Sequence, residues 1–216
     1  MASRPIPFVN DSIYHLVNRG VEKRDIFLNR GDYQRFIDSM FHYQTKNPIK
    51  FSLSRNKNTP QGWKNEGSDI IKLLSYCLMP NHFHMLVKQT IDGGITRFMS
   101  QVQNSYTRSF NTKYKRIGPL FQGPFKAVLI ETDEQLVHVS RYIHLNPVVS
   151  NLTKTPEQYE WSSYKIYLGL EGNQQKIETN DISLFFKTPE SYKDFVTDHI
   201  DYARTLESLK HKSIDL

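Results

Sequence analysis

The chain is 216 residues long, with 38% hydrophobic and 23% charged residues and a formal net charge of +6. That length fits one generous domain or a domain with an appendage, and the apolar share is enough for a packed core. A mean hydropathy of −0.56 and the lack of any long apolar run argue against a membrane-spanning helix, and a single cysteine, Cys77, excludes an internal disulfide framework and a cysteine-based zinc cluster.

The elements follow in chain order. SIYHLVN at 12–18 is rich in strand formers and reads as a first strand. Residues 32–44 place Tyr33, Phe36, Ile37, Met40 and Phe41 at helical spacing. The polar stretch 45–69, with Pro48, Pro60, Gly62 and Gly67, reads as a long loop insertion. IIKLLSYCLM at 70–79 and HFHMLVKQ at 82–89 read as two strands around Pro80-Asn81, a pair suited to a tight turn. Helix 95–111 has the clearest pattern, with Ile95, Phe98, Met99, Val102, Tyr106 and Phe110 on an apolar stripe and Arg97, Gln101, Asn104 and Arg108 opposite. PFKAVLI at 124–130 reads as a fourth strand. Thr132 and Gln135 then form a capping box that opens a helix expected to stop near Asn146, because Pro147 follows. Residues 169–216 read as a polar linker with one or two helices. The order β-α-β-β-α-β plus a further helix points to an α+β, ferredoxin-like (RRM-like) antiparallel sheet with helices on one face.

Charge is unevenly spread. Residues 169–216 hold 9 acidic and 6 basic side chains, a net −3, which leaves a net +9 upstream. No acidic residue occurs between Gly93 and Ile130, where Arg97, Arg108, Lys113, Lys115, Arg116 and Lys126 all fall. A basic body of this kind suits a polyanionic partner, most often nucleic acid.

Within the strand at 82–89, His82, His84 and Lys88 share one face while Phe83, Met85 and Val87 share the other. The apolar face is expected to bury against the helices, leaving two imidazoles one pleat apart on the open face, suited to a divalent metal. Two ordinary surface histidines are the alternative. On the late helix His138, Tyr142 and Asn146 recur at i, i+4 and i+8, separate from the apolar Leu136, Val139 and Ile143. Tyr142 is a candidate nucleophile and Asn146 a candidate oxygen ligand, although Tyr142 could equally be a boundary aromatic. Tyr106 lies on an apolar stripe and reads as core, as does Cys77. His15 and His144 could join the site, but neither has a foreseeable partner.

LLSYCLMPNHFHMLV resembles the strand pair of the HUH single-tyrosine transposases, in particular the REP-associated tyrosine transposase branch. YHLVNRG with DIF resembles that branch's first strand, GPLFQGPFKAVLI its fourth-strand region, SRYIHLNPV its catalytic helix and WSSYKIYLG its closing motif. The resemblance spans about residues 12–169. It implies a catalytic domain over 1–169 with a helical extension over 170–216. It also implies metal ligation by His82, His84 and Asn146, attack by Tyr142 to give a 5′-phosphotyrosine, and Mg2+ or Mn2+ as the ion. The implied partner is single-stranded DNA with hairpin or palindromic structure, handled by a monomer or homodimer in the bacterial cytoplasm near the nucleoid. The basic residues Arg97, Arg108, Lys113, Lys115, Arg116 and Lys126 would track phosphates, with exposed bases stacking on aromatics such as Trp63. Pro124 stands where the family often has a basic residue. The rival functions are a hairpin-binding protein that has lost catalysis, an HUH replication or conjugation nickase, and a metal phosphoesterase acting on small substrates.

Overall fold

The computed structural model describes residues 7–46, 68–172 and 177–200. Most of the 45–69 insertion, Trp63 and the end of the tail lie outside the described residues. The strands are β1 (Ile13–Arg19), β2 (Ile71–Met79), β3 (His82–Gln89) and β4 (Lys126–Ile130), forming one sheet in the order β2-β3-β1-β4. The helices are α1 (Arg30–His42), α2 (Gly94–Lys113), α3 (Asp133–Val149) and three short ones, α4 (Tyr164–Tyr167), α5 (Asn180–Ser183) and α6 (Pro189–Thr197). The expected α+β ferredoxin-like arrangement is what forms. No helix among the described residues is long and apolar enough to cross a membrane.

The chain divides into two compact units. One gathers Pro80–Leu129 with the residues up to Leu73; the other gathers Leu74–Met79 with the residues from Ile130 on.

In the first unit β1 and β3 run antiparallel with Leu16 opposite Met85 and Val17 opposite His84. Alternation sends Tyr14, Leu16 and Asn18 of β1 and Phe83, Met85 and Val87 of β3 to the face covered by α1 and α2. There Phe36 meets Phe83 at 5.1 Å and Tyr106 at 5.0 Å between ring centroids. The α2 stripe buries at all six expected positions, because the period of 3.6 keeps them on one side. Pro80-Asn81 makes the two-residue turn between β2 and β3. It is tied down by Ile26 N–H donating to Pro80 O (2.8 Å) and Gly20 N–H donating to Asn81 O (2.8 Å).

In the second unit Thr132 caps α3, its hydroxyl accepting from Gln135 N–H at 3.1 Å. The helix does not stop near Asn146; it runs through Pro147 to Val149. Pro147 has no N–H for the Ile143 carbonyl, which removes one bond in the last turn. The chain beyond closes with Ser150 N–H to Asn146 O (3.0 Å) and Leu152 N–H to Pro147 O (2.8 Å), and Val148 is buried. A proline this close to the helix end is tolerated.

The same unit closes the outer edge of β2. Leu78 N–H donates to Trp161 O (2.9 Å), Ser163 N–H to Tyr76 O (3.0 Å), and Tyr76 N–H to the Ser163 hydroxyl (2.9 Å). Tyr159 and Tyr167 hydroxyls donate to Leu78 O and Leu74 O at 2.6 and 2.9 Å. An edge that would otherwise offer unpaired backbone groups is thereby satisfied.

Candidate functional site

Histidines gather on the face of the first unit's sheet opposite α1 and α2. Because His84 lies opposite Val17, His15 sits one pleat away on the same face, and its Nε2 lies 2.9 Å from His84 Nδ1. His82 and His84 have ring centroids 5.0 Å apart, nearly perpendicular. His82 Nδ1 lies 2.6 Å from Asn81 Oδ1. An amide oxygen only accepts, so His82 Nδ1 carries the proton and its Nε2 lone pair points elsewhere. The same logic applies to His84 when its Nδ1–H donates to His15.

These histidines do not lie on an open face, as the sequence suggested. His84 is only 5% exposed and His82 is partly covered. Burial, followed by the charges of His82 and His15, holds the His84 pKa well below the ordinary histidine value, and burial lowers that of His15 to about 4. Both rings are therefore neutral at neutral pH, the state in which imidazole ligates a metal. Fixing Nδ1 through a second partner also orients Nε2 toward a ligand. The pair fits a divalent ion as two of its ligands. Among the described residues no three His, Cys, Asp or Glu side chains form a metal-holding group.

In the second unit Tyr142 is 48% exposed on α3, away from buried Leu136 and Ile143. Asn146 is 8% exposed and its Nδ2 donates to Tyr142 O at 2.8 Å. The side-chain amide thus has its nitrogen engaged by the helix, which fixes the direction of its oxygen. His138 Nδ1 lies 2.6 Å from an Arg141 guanidinium nitrogen. A guanidinium donates only, so that imidazole nitrogen accepts, and its Nε2–H faces Glu134 at 3.8 Å.

His144 takes no part in this polar stripe. It is fully buried, with Nδ1 2.7 Å from the Tyr192 hydroxyl and Nε2 2.9 Å from the Ser163 hydroxyl. Tyr106 is 1% exposed and donates its hydroxyl to Ile26 O; burial raises its pKa far above the usual tyrosine range, which suits a core residue rather than a nucleophile. Cys77 is likewise buried in β2 with its thiol pKa pushed up by burial.

Of the basic residues, Arg97, Arg108, Lys115 and Lys126 are exposed, and Arg97 donates to Lys46 O. Lys113 forms an ion pair with buried Asp32 at 2.7 Å, and Arg116 is held by Asn111 at 2.9 Å. Arg141, Ser163, Tyr192 and Phe195 hold α3 in place and carry no motif that separates them from ordinary polar and aromatic residues. Phe195 lies under the Arg141 guanidinium at 4.3 Å.

Residues 63–146, a span that includes His82, His84, Tyr142 and Asn146, match the family model described as "Transposase IS200 like". That match makes this span similar to the IS200-like transposases. A solved REP-associated tyrosine transposase bound to a REP hairpin is similar to this chain at 14% identity and a TM-score of 0.53, over 80% of this chain and 89% of that one. At that identity the likeness is one of fold. A candidate transposase from Deinococcus radiodurans R1 aligns at 13% identity and a TM-score of 0.39, over 66% of this chain and 95% of that one. No curated protein matches the chain.

Proposed function

We propose that this chain is an IS200-like transposase of the REP-associated branch that nicks and rejoins single-stranded DNA beside hairpins through a 5′-phosphotyrosine on Tyr142, with a divalent ion, Mg2+ or Mn2+, held by His82, His84 and Asn146. The observation that supports it best is that His82 and His84 stand side by side on one strand face, each with Nδ1 already engaged, at 2.6 and 2.9 Å. Residues 1–169 would form the catalytic domain and 170–216 an extension that buttresses α3 through Tyr192 and Phe195.

In this reading the Tyr142 hydroxyl loses its proton to solvent as its oxygen attacks phosphorus. The bond from phosphorus to the 3′-oxygen breaks, and that oxygen leaves as a 3′-hydroxyl after gaining a proton. A 3′-hydroxyl from another strand reverses the step and joins DNA, so no nucleotide cofactor is consumed. A bound divalent ion would polarise a non-bridging phosphate oxygen and stabilise its developing charge. His15 and Asn81 keep the two histidines oriented, and Asn146 holds its amide against the helix that carries the nucleophile.

His82→Ala and His84→Ala should each abolish cleavage of a labelled hairpin oligonucleotide in Mn2+. Full cleavage by the double variant in chelator would overturn metal assistance. DNA affinity should also fall steeply with salt. Arg108→Ala, exposed on α2, should weaken binding on all sequences and reduce the log–log salt slope by about 0.7. A wild-type slope near zero would exclude nucleic acid as the partner.

A further inference from the structure

Two loops of the first unit are stitched together. One spans 19–30 and the other 114–123. Gly20 forms a bridge with Phe121, Val21 N–H donates to Leu120 O (3.0 Å), Gln122 N–H to Arg19 O (2.8 Å), and Asn29 Nδ2 to the Tyr114 hydroxyl (2.6 Å). Asn81, whose side-chain oxygen faces His82, also donates to Lys23 O at 3.1 Å. The paired loops are therefore anchored directly beside the histidine pair.

Both loops carry strained backbone. Five non-glycine residues among the described ones have left-handed backbone, and three of them are here: Glu22 (φ 56°), Lys23 (φ 58°) and Lys115 (φ 51°). Left-handed backbone is disfavoured for residues that carry a Cβ, and such strain tends to collect at functional sites. The tip of the second loop is fixed from within: Arg116 N–H donates to Asn111 O (2.9 Å), and Asn111 Nδ2 donates to Gly118 O (2.9 Å), where φ is 94°. What this brace presents to solvent is Ile117, 97% exposed. The exposed Lys115 lies two residues before it, and Lys23 is exposed on the companion loop.

We propose that Ile117 is a preformed apolar wedge that packs on the last base pair at the foot of a DNA hairpin, while Lys23 and Lys115 take phosphates beside it. This rests on the DNA reading above. The charge of the loops selects a polyanion: Arg19, Lys23, Arg24 and Arg30 outnumber Glu22 and Asp25 in the first loop, and the second has Lys115 and Arg116 with no acidic residue between Gly93 and Ile130. One aliphatic side chain matches one base-pair face, and such a face is open only where a duplex ends. Apolar wedges inserted at base steps are an established means of gripping DNA. A braced loop loses little conformational entropy on contact, which favours this use of a single side chain.

The test uses the full chain in chelator, so that DNA is bound but not cut. The ligands are a tailed hairpin with 2-aminopurine at its closing pair and an unstructured single strand of the same length and base content. Ile117→Ser should weaken hairpin binding roughly 10-fold and remove the 2-aminopurine signal, leaving single-strand binding unchanged. Ile117→Leu should restore both. Lys115→Ala should weaken both ligands together. Equal loss on both ligands in Ile117→Ser, or no loss on either, would overturn the wedge while the DNA reading stands. Failure of the wild-type chain to bind either DNA would overturn the DNA reading and the wedge with it. Ile117 packs on nothing that a serine would disturb, so thermal melts of the variants should match the wild type.

Discussion

Tyr142→Phe should abolish the covalent protein–DNA adduct and strand cleavage while leaving DNA affinity unchanged. The substitution removes one oxygen and keeps the ring. The ring is 48% exposed, so little packing depends on the hydroxyl. Adduct formation on a labelled oligonucleotide, resolved on a denaturing gel, reads the chemistry, and filter binding in chelator reads affinity. Tyr106→Phe is the matched control. It leaves Ile26 O without its donor in the core, at a cost of about 1–3 kcal/mol in stability, and should leave the adduct intact. An adduct that persisted in Tyr142→Phe would remove the proposed nucleophile. Cleavage that persisted without an adduct would make the protein a hydrolytic nuclease.

Acid should unfold the second unit through His144. Burial lowers its folded pKa from 6.5 to about 3. The rings facing it belong to Tyr164, Tyr167 and Tyr192, and none carries charge near neutral pH. Below pH 6.5 the unfolded chain gains a proton that the folded chain refuses. The contribution is therefore complete above pH 6.5 and is lost as pH falls toward 3, at about 1 kcal/mol per pH unit and a few kcal/mol in all. His15, whose folded pKa lies near 4, acts in the same direction. Urea midpoints between pH 7 and 4.5 should show this slope, and His144→Gln, which keeps a neutral polar group, should flatten it by one proton's share. An unchanged slope in that variant would mean that His144 is protonated in the folded protein.

The sequence carried the β2 and β3 boundaries well, because Pro80-Asn81 marks a two-residue turn and the strands on both sides are apolar. The α2 stripe was equally legible, since six apolar residues at period 3.6 leave one possible inner side. Pro147 misled, because the rule that proline ends helices assumes that the lost bond matters, and in the last turn it costs only one. The pairing of His15 with His84 depends on the register of β1 against β3, and local sequence does not specify which residues face each other across 69 positions. The buried state of His84 was hidden for a related reason: alternation shows which face a residue takes, not what covers that face.

The strip at 159–167 that satisfies the β2 edge has a consequence for the order in which the chain is made. Ser163 meets Tyr76 across 87 positions. At ordinary synthesis rates of 5–20 residues per second, roughly 4–17 s separate the emergence of the two partners. Through that interval the nascent hairpin that carries His82 and His84 has a long apolar strand with one side unpaired, the kind of edge that recruits other chains. Slowing translation after residue 90 should thus raise the insoluble fraction, whereas a tethered peptide supplying the WSSY segment early should lower it.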